Sequence, residues 1–166
     1  RRHVRESFDL GYTLARPPRR YPSLVGVVPA IVRRPGRARV LVAIDTSASM
    51  LHESLEQIAA ELGRMSRTHE IHVVECDAEI TAEYRFAGSL EEVQGRGGTD
   101  LCPPLEPQVL RRVRPDVVVY FTDGDGPAPD LAPKVPVIWC LTPGGAPPAP
   151  WGRVVEMVGD AGFSAR

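Results

Sequence analysis

Two uninterrupted apolar runs, Val40–Ile44 and Val117–Phe121, set the tightest limit on what this chain can fold into. Both are mostly β-branched or aromatic, and neither has a polar side chain to turn toward solvent. Each therefore reads as a strand covered on both faces, as in a parallel sheet flanked by helices. Each run also stops at an acid: Asp45 follows the first directly, and Thr122-Asp123 follows the second. The carboxyl ends of such strands are where α/β sheets hold their ligands.

The remaining segments fill in that architecture. Leu51, Leu55, Ile58, Ala59, Leu62 and Met65 recur at helical spacing and predict an amphipathic helix from about Met50. Glu70–Cys76 and Ile80–Phe86 flank an Asp77-Ala78 turn and predict an antiparallel hairpin at a sheet edge. Pro103 and Pro104 suit the first turn of a helix running through Leu105, Val109, Leu110 and Val113, with Pro107 delaying or kinking it. Val135–Leu141 and Val154–Val158 predict two more strands, while Thr142–Pro150, rich in Pro, Gly and Ala, is expected to be a loop with freedom to move. Strands alternating with helices in this order give an α/β, doubly wound sheet.

At 166 residues, with 43% hydrophobic and 25% charged side chains, the chain has the size and composition of one globular domain. Its net charge of −1 conceals a division. Residues 1–39 carry ten arginines against Glu6 and Asp9, a balance of +8, and the remainder balances at −9. We expect residues 1–38 to form an Arg/Pro-rich lead-in partly packed on a domain spanning 39–166. The reading favoured for this basic arm is a solvated or self-wrapping segment rather than a nucleic-acid contact. No apolar run reaches the roughly 18 residues of a membrane span and no secretory signal opens the chain, so no membrane contact and a cytoplasmic location are expected. The start at Arg1 leads us to expect a piece of a longer protein. Cys76, Cys102 and Cys140 show no CxxC spacing; the first and last read as small buried hydrophobes, in keeping with a reducing compartment.

The chemistry lies in oxygen. Asp45, Ser47 and Ser49 alternate in DTSASM between a strand and a helix, a spacing that turns all three toward one side. Thr99 follows glycines in GRGGTD, and Asp123 opens the loop of FTDGDG. Two carboxylates and three hydroxyls make a hard donor set suited to Mg²⁺ or Mn²⁺ rather than zinc. Calcium is a rival for DGDG, although that segment is too short for an EF-hand loop of about twelve residues. Each piece also has a plainer use: Ser47 or Ser49 as a helix cap, Thr99 in a surface loop, Asp123 and Asp125 as turn formers. His3, His52, His69 and His72 are scattered, and neither His52-Glu53 nor His69-Glu70 has the second histidine that a zinc-peptidase helix requires.

A strand ending in DxSxS, a later Gly-flanked Thr and a later strand ending in Asp together resemble the metal-ion-dependent adhesion site of von Willebrand factor A (VWA) domains, over about Arg39–Val158. The resemblance implies a Rossmann-like, mostly parallel sheet with one antiparallel edge strand. It also implies that Ser47, Ser49 and Thr99 touch the metal, with Asp45 and Asp123 acting directly or through water. Ala48 departs from the glycine common in that family; at positive φ an alanine costs about 1 kcal/mol. More narrowly, VAIDTSASM, GRGGTD, VVYFTDGDG and VPVIWCLT are similar to the C-terminal VWA-like domain of bacterial proteins described as metallopeptidases, which often accompany MoxR-type AAA ATPases. The function so implied is a non-enzymatic module that recruits a partner's Asp or Glu carboxylate through the metal, working with such an ATPase. The alternatives are a metal-dependent hydrolase or phosphatase with Asp45 as base or nucleophile, and the regulatory end of a metallopeptidase.

Overall fold

The computed structural model describes residues 8–13, 30–35, 37–47, 52–90, 97–158 and 162–165. Phe8–Thr13 (β1) and Ala30–Pro35 (β2) pair antiparallel as a two-stranded sheet. This hairpin lies within the segment read as an Arg/Pro-rich lead-in. Among the described residues the main sheet has seven strands in the order β5-β4-β3-β6-β7-β8-β9: Arg39–Asp45 (β3), Glu70–Cys76 (β4), Ile80–Arg85 (β5), Val117–Thr122 (β6), Val137–Leu141 (β7), Arg153–Val158 (β8) and Gly162–Ala165 (β9). The four central pairings are parallel. β5 is the expected antiparallel edge, and β9 adds a second at the other side. The fold is thus the α/β, Rossmann-like, mostly parallel sheet that the sequence predicts.

Alternation along the buried strands divides the core into two layers. Val40, Val42 and Ile44 of β3 face helix α1 (His52–Met65), whose Ile58 and Leu62 are fully buried against them. Burial of each such side chain contributes about 1.5–3 kcal/mol. Leu41 and Ala43 face the opposite side, under Leu101, Leu105 and Val109. There the expected helix is split as Pro107 dictates, into a short 3-10 turn Pro103–Leu105 and α2 (Pro107–Val113). Arg114 ends α2 in the left-handed region, its N–H returning to the Leu110 carbonyl.

The connections from β6 to β7 and from β7 to β8 contain no helix. Irregular chain makes both crossovers, and indole hydrogen bonds fix it. Trp139 Nε1 donates to the Trp151 carbonyl and Trp151 Nε1 donates to the Pro129 carbonyl, each at 3.0 Å, with the two rings 5.3 Å apart. The loop after Leu141 is accordingly not the free segment its composition suggests. No helix among the described residues is long and apolar enough to cross a membrane.

Candidate metal centre

After β3 the chain moves through α1 to β4 on one side, then returns through α2 to β6 on the other. The strand order therefore reverses between β3 and β6, and their carboxyl ends border the crevice where open α/β sheets bind ligands. Asp45 ends β3 and Thr122 ends β6, in adjacent strands paired Ile44 to Phe121.

Asp45 is fully buried, and among the described residues two neutral donors hold it: the Ser47 N–H reaches Oδ1 at 2.9 Å and the Thr122 hydroxyl reaches Oδ2 at 2.8 Å. Thr122 in turn accepts the Gly124 N–H at 2.9 Å. No Lys or Arg among the described residues forms an ion pair with Asp45. Ser47 is buried at 6% exposure directly above β3, and Asp123 is half-buried directly above β6. Asp123 Oδ1 accepts the Asp125 N–H at 3.0 Å, so the turn-forming use of this acid is present and leaves Oδ2 outside it.

Thr99 arrives from the side. A methyl on Gly126 would lie 2.7 Å from Thr99 Cγ2, and the Leu101 N–H bonds the Pro127 carbonyl at 2.9 Å. Residues 99–101 thus run against the chain leaving Asp123, at a distance only glycine permits. Asp77 anchors the same segment from β4: its carbonyl accepts the Asp100 N–H at 2.7 Å and its carboxylate accepts the Gly97 N–H at 3.3 Å. Asp100 Oδ1 accepts the Cys102 N–H at 2.8 Å and starts the 3-10 turn. The carboxyl ends of β3, β4 and β6 and the segment entering the 3-10 turn therefore meet at one sheet edge, bringing Asp45, Ser47, Thr99 and Asp123 into neighbouring segments. Ser49 and Ala48 lie outside the described residues.

Three participants escape sequence reasoning. Thr122 looks like the last residue of a strand until the pairing sets it beside Asp45. Asp77 looks like a hairpin turn, although it follows β4 as Asp45 closes β3, a repetition the sequence does display. The loop after β7 carries no marker, yet the Ala146 N–H bonds the Asp123 carbonyl and the Thr142 N–H bonds the Thr122 carbonyl, at 2.9 and 3.1 Å. Gly124, with φ of 85°, permits this clasp. Buried Glu75, which accepts the Tyr84 hydroxyl at 2.7 Å, is another carboxylate the pattern does not announce.

Charge is polarised along the strands. Among the described residues from Arg37 to Arg153, the arginines and the lysine stand at the amino ends of strands, at the carboxyl ends of helices, or, for Arg85, where antiparallel β5 meets the start of β4. Asp45, Asp77, Asp100, Asp123 and Asp125 occupy the opposite edge. Such a field concentrates cations at the candidate centre. Among the described residues, no three His, Cys, Asp or Glu side chains gather closely enough to hold an ion; a set built largely from hydroxyls would not take that form. The cysteines are free and their thiols protonated: burial pushes Cys76 and Cys140 up to about 12 and Cys102 up to about 11, the acids around Cys76 and Cys102 adding to it.

The profile of the family described as VWA-like domain (DUF2201) matches residues 40–158. The chain belongs to the VWA-like domain family. An uncharacterised protein of Thermotoga maritima is 32% identical to it over 122 residues, covering 70% of this chain and 29% of that protein. The VWA-like domain thus spans less than a third of the relative's length. No solved structure matches the chain.

Proposed function

We propose that this VWA-like domain is a protein-binding module that captures a partner's Asp or Glu carboxylate through Mg²⁺ or Mn²⁺ held at the β3–β6 crevice. The observation that carries the reading is Asp45: a fully buried carboxylate, held by neutral donors and without a basic partner among the described residues, at the switch point of the sheet. A buried negative charge in that condition is completed by a cation on its open side. Asp45, Ser47, Thr99 and Asp123 supply donors of the type a hard dication takes, with Ser49 assigned by family resemblance. Bound there, the ion would supply a Lewis-acidic position open to an outside carboxylate.

The chain's own part is preorganisation. Thr122 and the Ser47 N–H fix Asp45, the Ala146 clasp fixes the loop of Asp123, and the Asp77 and Gly126 contacts fix the loop of Thr99. With two carboxylates and otherwise neutral hydroxyls in the set, the charge of a dication is balanced but its six-fold coordination is not filled, which leaves a position for an outside carboxylate. Hydrolysis would also require a general base placed against a metal-bound water. Asp100 and Asp125 are the acids nearest in sequence; Asp100 has an oxygen engaged as a turn former, and the Asp125 N–H serves the turn at Asp123. We therefore place binding ahead of catalysis. On the strength of the resemblance alone, we further propose that the domain belongs to a larger cytoplasmic protein of the metallopeptidase-like group and works with a MoxR-type AAA ATPase.

The test is capture of partner proteins from lysate by the immobilised domain, with Mg²⁺ or with EDTA, and by its Asp45→Asn and Asp123→Ala variants. Capture that requires Mg²⁺ and disappears in both variants supports the reading. Equal capture in EDTA contradicts it, and so does magnesium-dependent phosphatase turnover abolished by Asp45→Asn.

A further inference from the structure

The β6 to β7 crossover, residues 123–136, has the length for a helix but not the sequence, because Pro127, Pro129, Pro133 and Pro136 interrupt it. Where parallel strands ordinarily gain a covering helix, irregular chain runs beside α2 and leaves a cleft of about 620 Å³ between the two. Leu105, Leu110 and Val135 line it, and all three also pack on the α2-side core. Leu131 stands on its rim, 83% exposed, and among the described residues it is the large apolar side chain left in solvent. A lone exposed leucine needs no explanation, but one at the mouth of an apolar cleft marks a surface that something covers.

Hydrogen bonds hold the irregular wall in place along its length. The Pro127 carbonyl accepts the Leu101 N–H and the Pro136 carbonyl accepts the Val118 N–H, each at 2.9 Å, while the Pro129 carbonyl accepts Trp151 Nε1 at 3.0 Å. Pro107, Pro115, Pro129 and Pro133, all in the lining, have no N–H to offer. A strand laid there would find few backbone partners, so the fitting occupant closes its own backbone bonds, as a helix does.

Charge sets the polarity of that occupant. Glu106, just before α2, marks one end of the cleft, with Asp130 following Pro129. Arg111, in the last turn of α2, marks the other, with Lys134 two residues before the Pro136 that bonds the amino end of β6. All four side chains are exposed, and among the described residues none of them forms an ion pair.

We propose that this cleft docks an amphipathic helix of a partner protein. Its apolar face lies on Leu105, Leu110 and Leu131, with an acidic residue at the end near Arg111 and Lys134 and a basic one at the end near Glu106. The docked helix takes the place of the crossover helix that the prolines forbid. The contact needs no metal, so it is independent of carboxylate capture at the β3–β6 crevice.

The experiment titrates the whole chain in EDTA with three fluorescent synthetic helices of about 16 residues, read by anisotropy. All three carry leucines at i, i+3, i+4 and i+7. One has glutamates at one end and lysines at the other, one has lysines at both ends, and one has glutamates at both. Wild type should bind the mixed helix about threefold more tightly than either of the others. Leu131→Asp should weaken that binding about tenfold without moving the urea midpoint, and the double variant Arg111→Glu, Lys134→Glu should lose the preference for the mixed helix over the all-lysine one. Equal or undetectable binding of the three helices, or wild-type affinity in Leu131→Asp, would overturn the proposal. So would a dimer of the chain in sedimentation that Leu131→Asp dissociates, because a second copy would then cover the cleft.

Discussion

Gly124 and Gly144 form a matched pair for testing whether the loops around Asp123 are clasped. Their backbones are nearly identical in φ, 85° and 84°, but a methyl at 124 would lie 1.7 Å from the Ala146 carbonyl oxygen, whereas a methyl at 144 meets open space. Alanine at either site pays for left-handed backbone, about 1–2 kcal/mol, partly offset by about 0.4–1 kcal/mol from a stiffer unfolded chain. Gly144→Ala should therefore cost about 1 kcal/mol. At 124 the loops must also separate, losing the 2.9 Å bond from the Ala146 N–H to the Asp123 carbonyl, so Gly124→Ala should cost about 2–3 kcal/mol. Urea denaturation of both variants, with unchanged slope, reads the difference. Titration with Mg²⁺ should show weaker binding in Gly124→Ala alone. Equal stability losses in the two variants would refute the clasp.

Thr122→Val removes the hydroxyl donor to Asp45 Oδ2 and the acceptor of the Gly124 N–H; urea denaturation should show a loss of about 2–4 kcal/mol, and a loss below 1 would contradict the assigned bonds. Glu83 is pushed up by burial, but hydrogen bonds from His72 and Arg112 and then their charges outweigh this and hold it below its ordinary value. Its contribution to stability is therefore present above the unfolded-state pKa of about 4.3 and lost as pH falls through the lower folded value. Glu83→Gln should lose less stability than wild type between pH 6 and pH 3, and parallel acid profiles would count against the pairing. With all three thiols raised to about 11 or 12, alkylation of the native domain at pH 7.5 should be slow, rising on unfolding to three equivalents; rapid native labelling would contradict their protonated state.

Much of the fold was legible because burial on both faces leaves an unambiguous mark. Val40–Ile44 and Val117–Phe121 have no polar position, and the helical spacing from Leu55 to Met65 follows directly. The hairpin of β1 and β2 was not legible. Phe8, Leu10 and Tyr12 do alternate, but Gly11 interrupts them and the pairing partner begins at Ala30, beyond an Arg- and Pro-rich stretch. An acid closing each apolar run made Asp45 and Asp123 legible as candidates, although Asp123 also forms the turn to Asp125 that its sequence equally suggests. Thr122 was not, because its role depends on the β3–β6 register. The dependence of the Asp123 loop on Ala146 was hidden for a related reason: with no helix in either crossover, nothing in the pattern says which loops abut.

The most direct measurement is anomalous diffraction from crystals of the domain grown with Mn²⁺. The account predicts one strong peak at the carboxyl ends of β3 and β6, with Asp45, Ser47, Thr99 and Asp123 around it directly or through water, and loss of that peak in Asp45→Asn. Saturating Mn²⁺ with no density there, or an ion bound at another part of the surface, would contradict it.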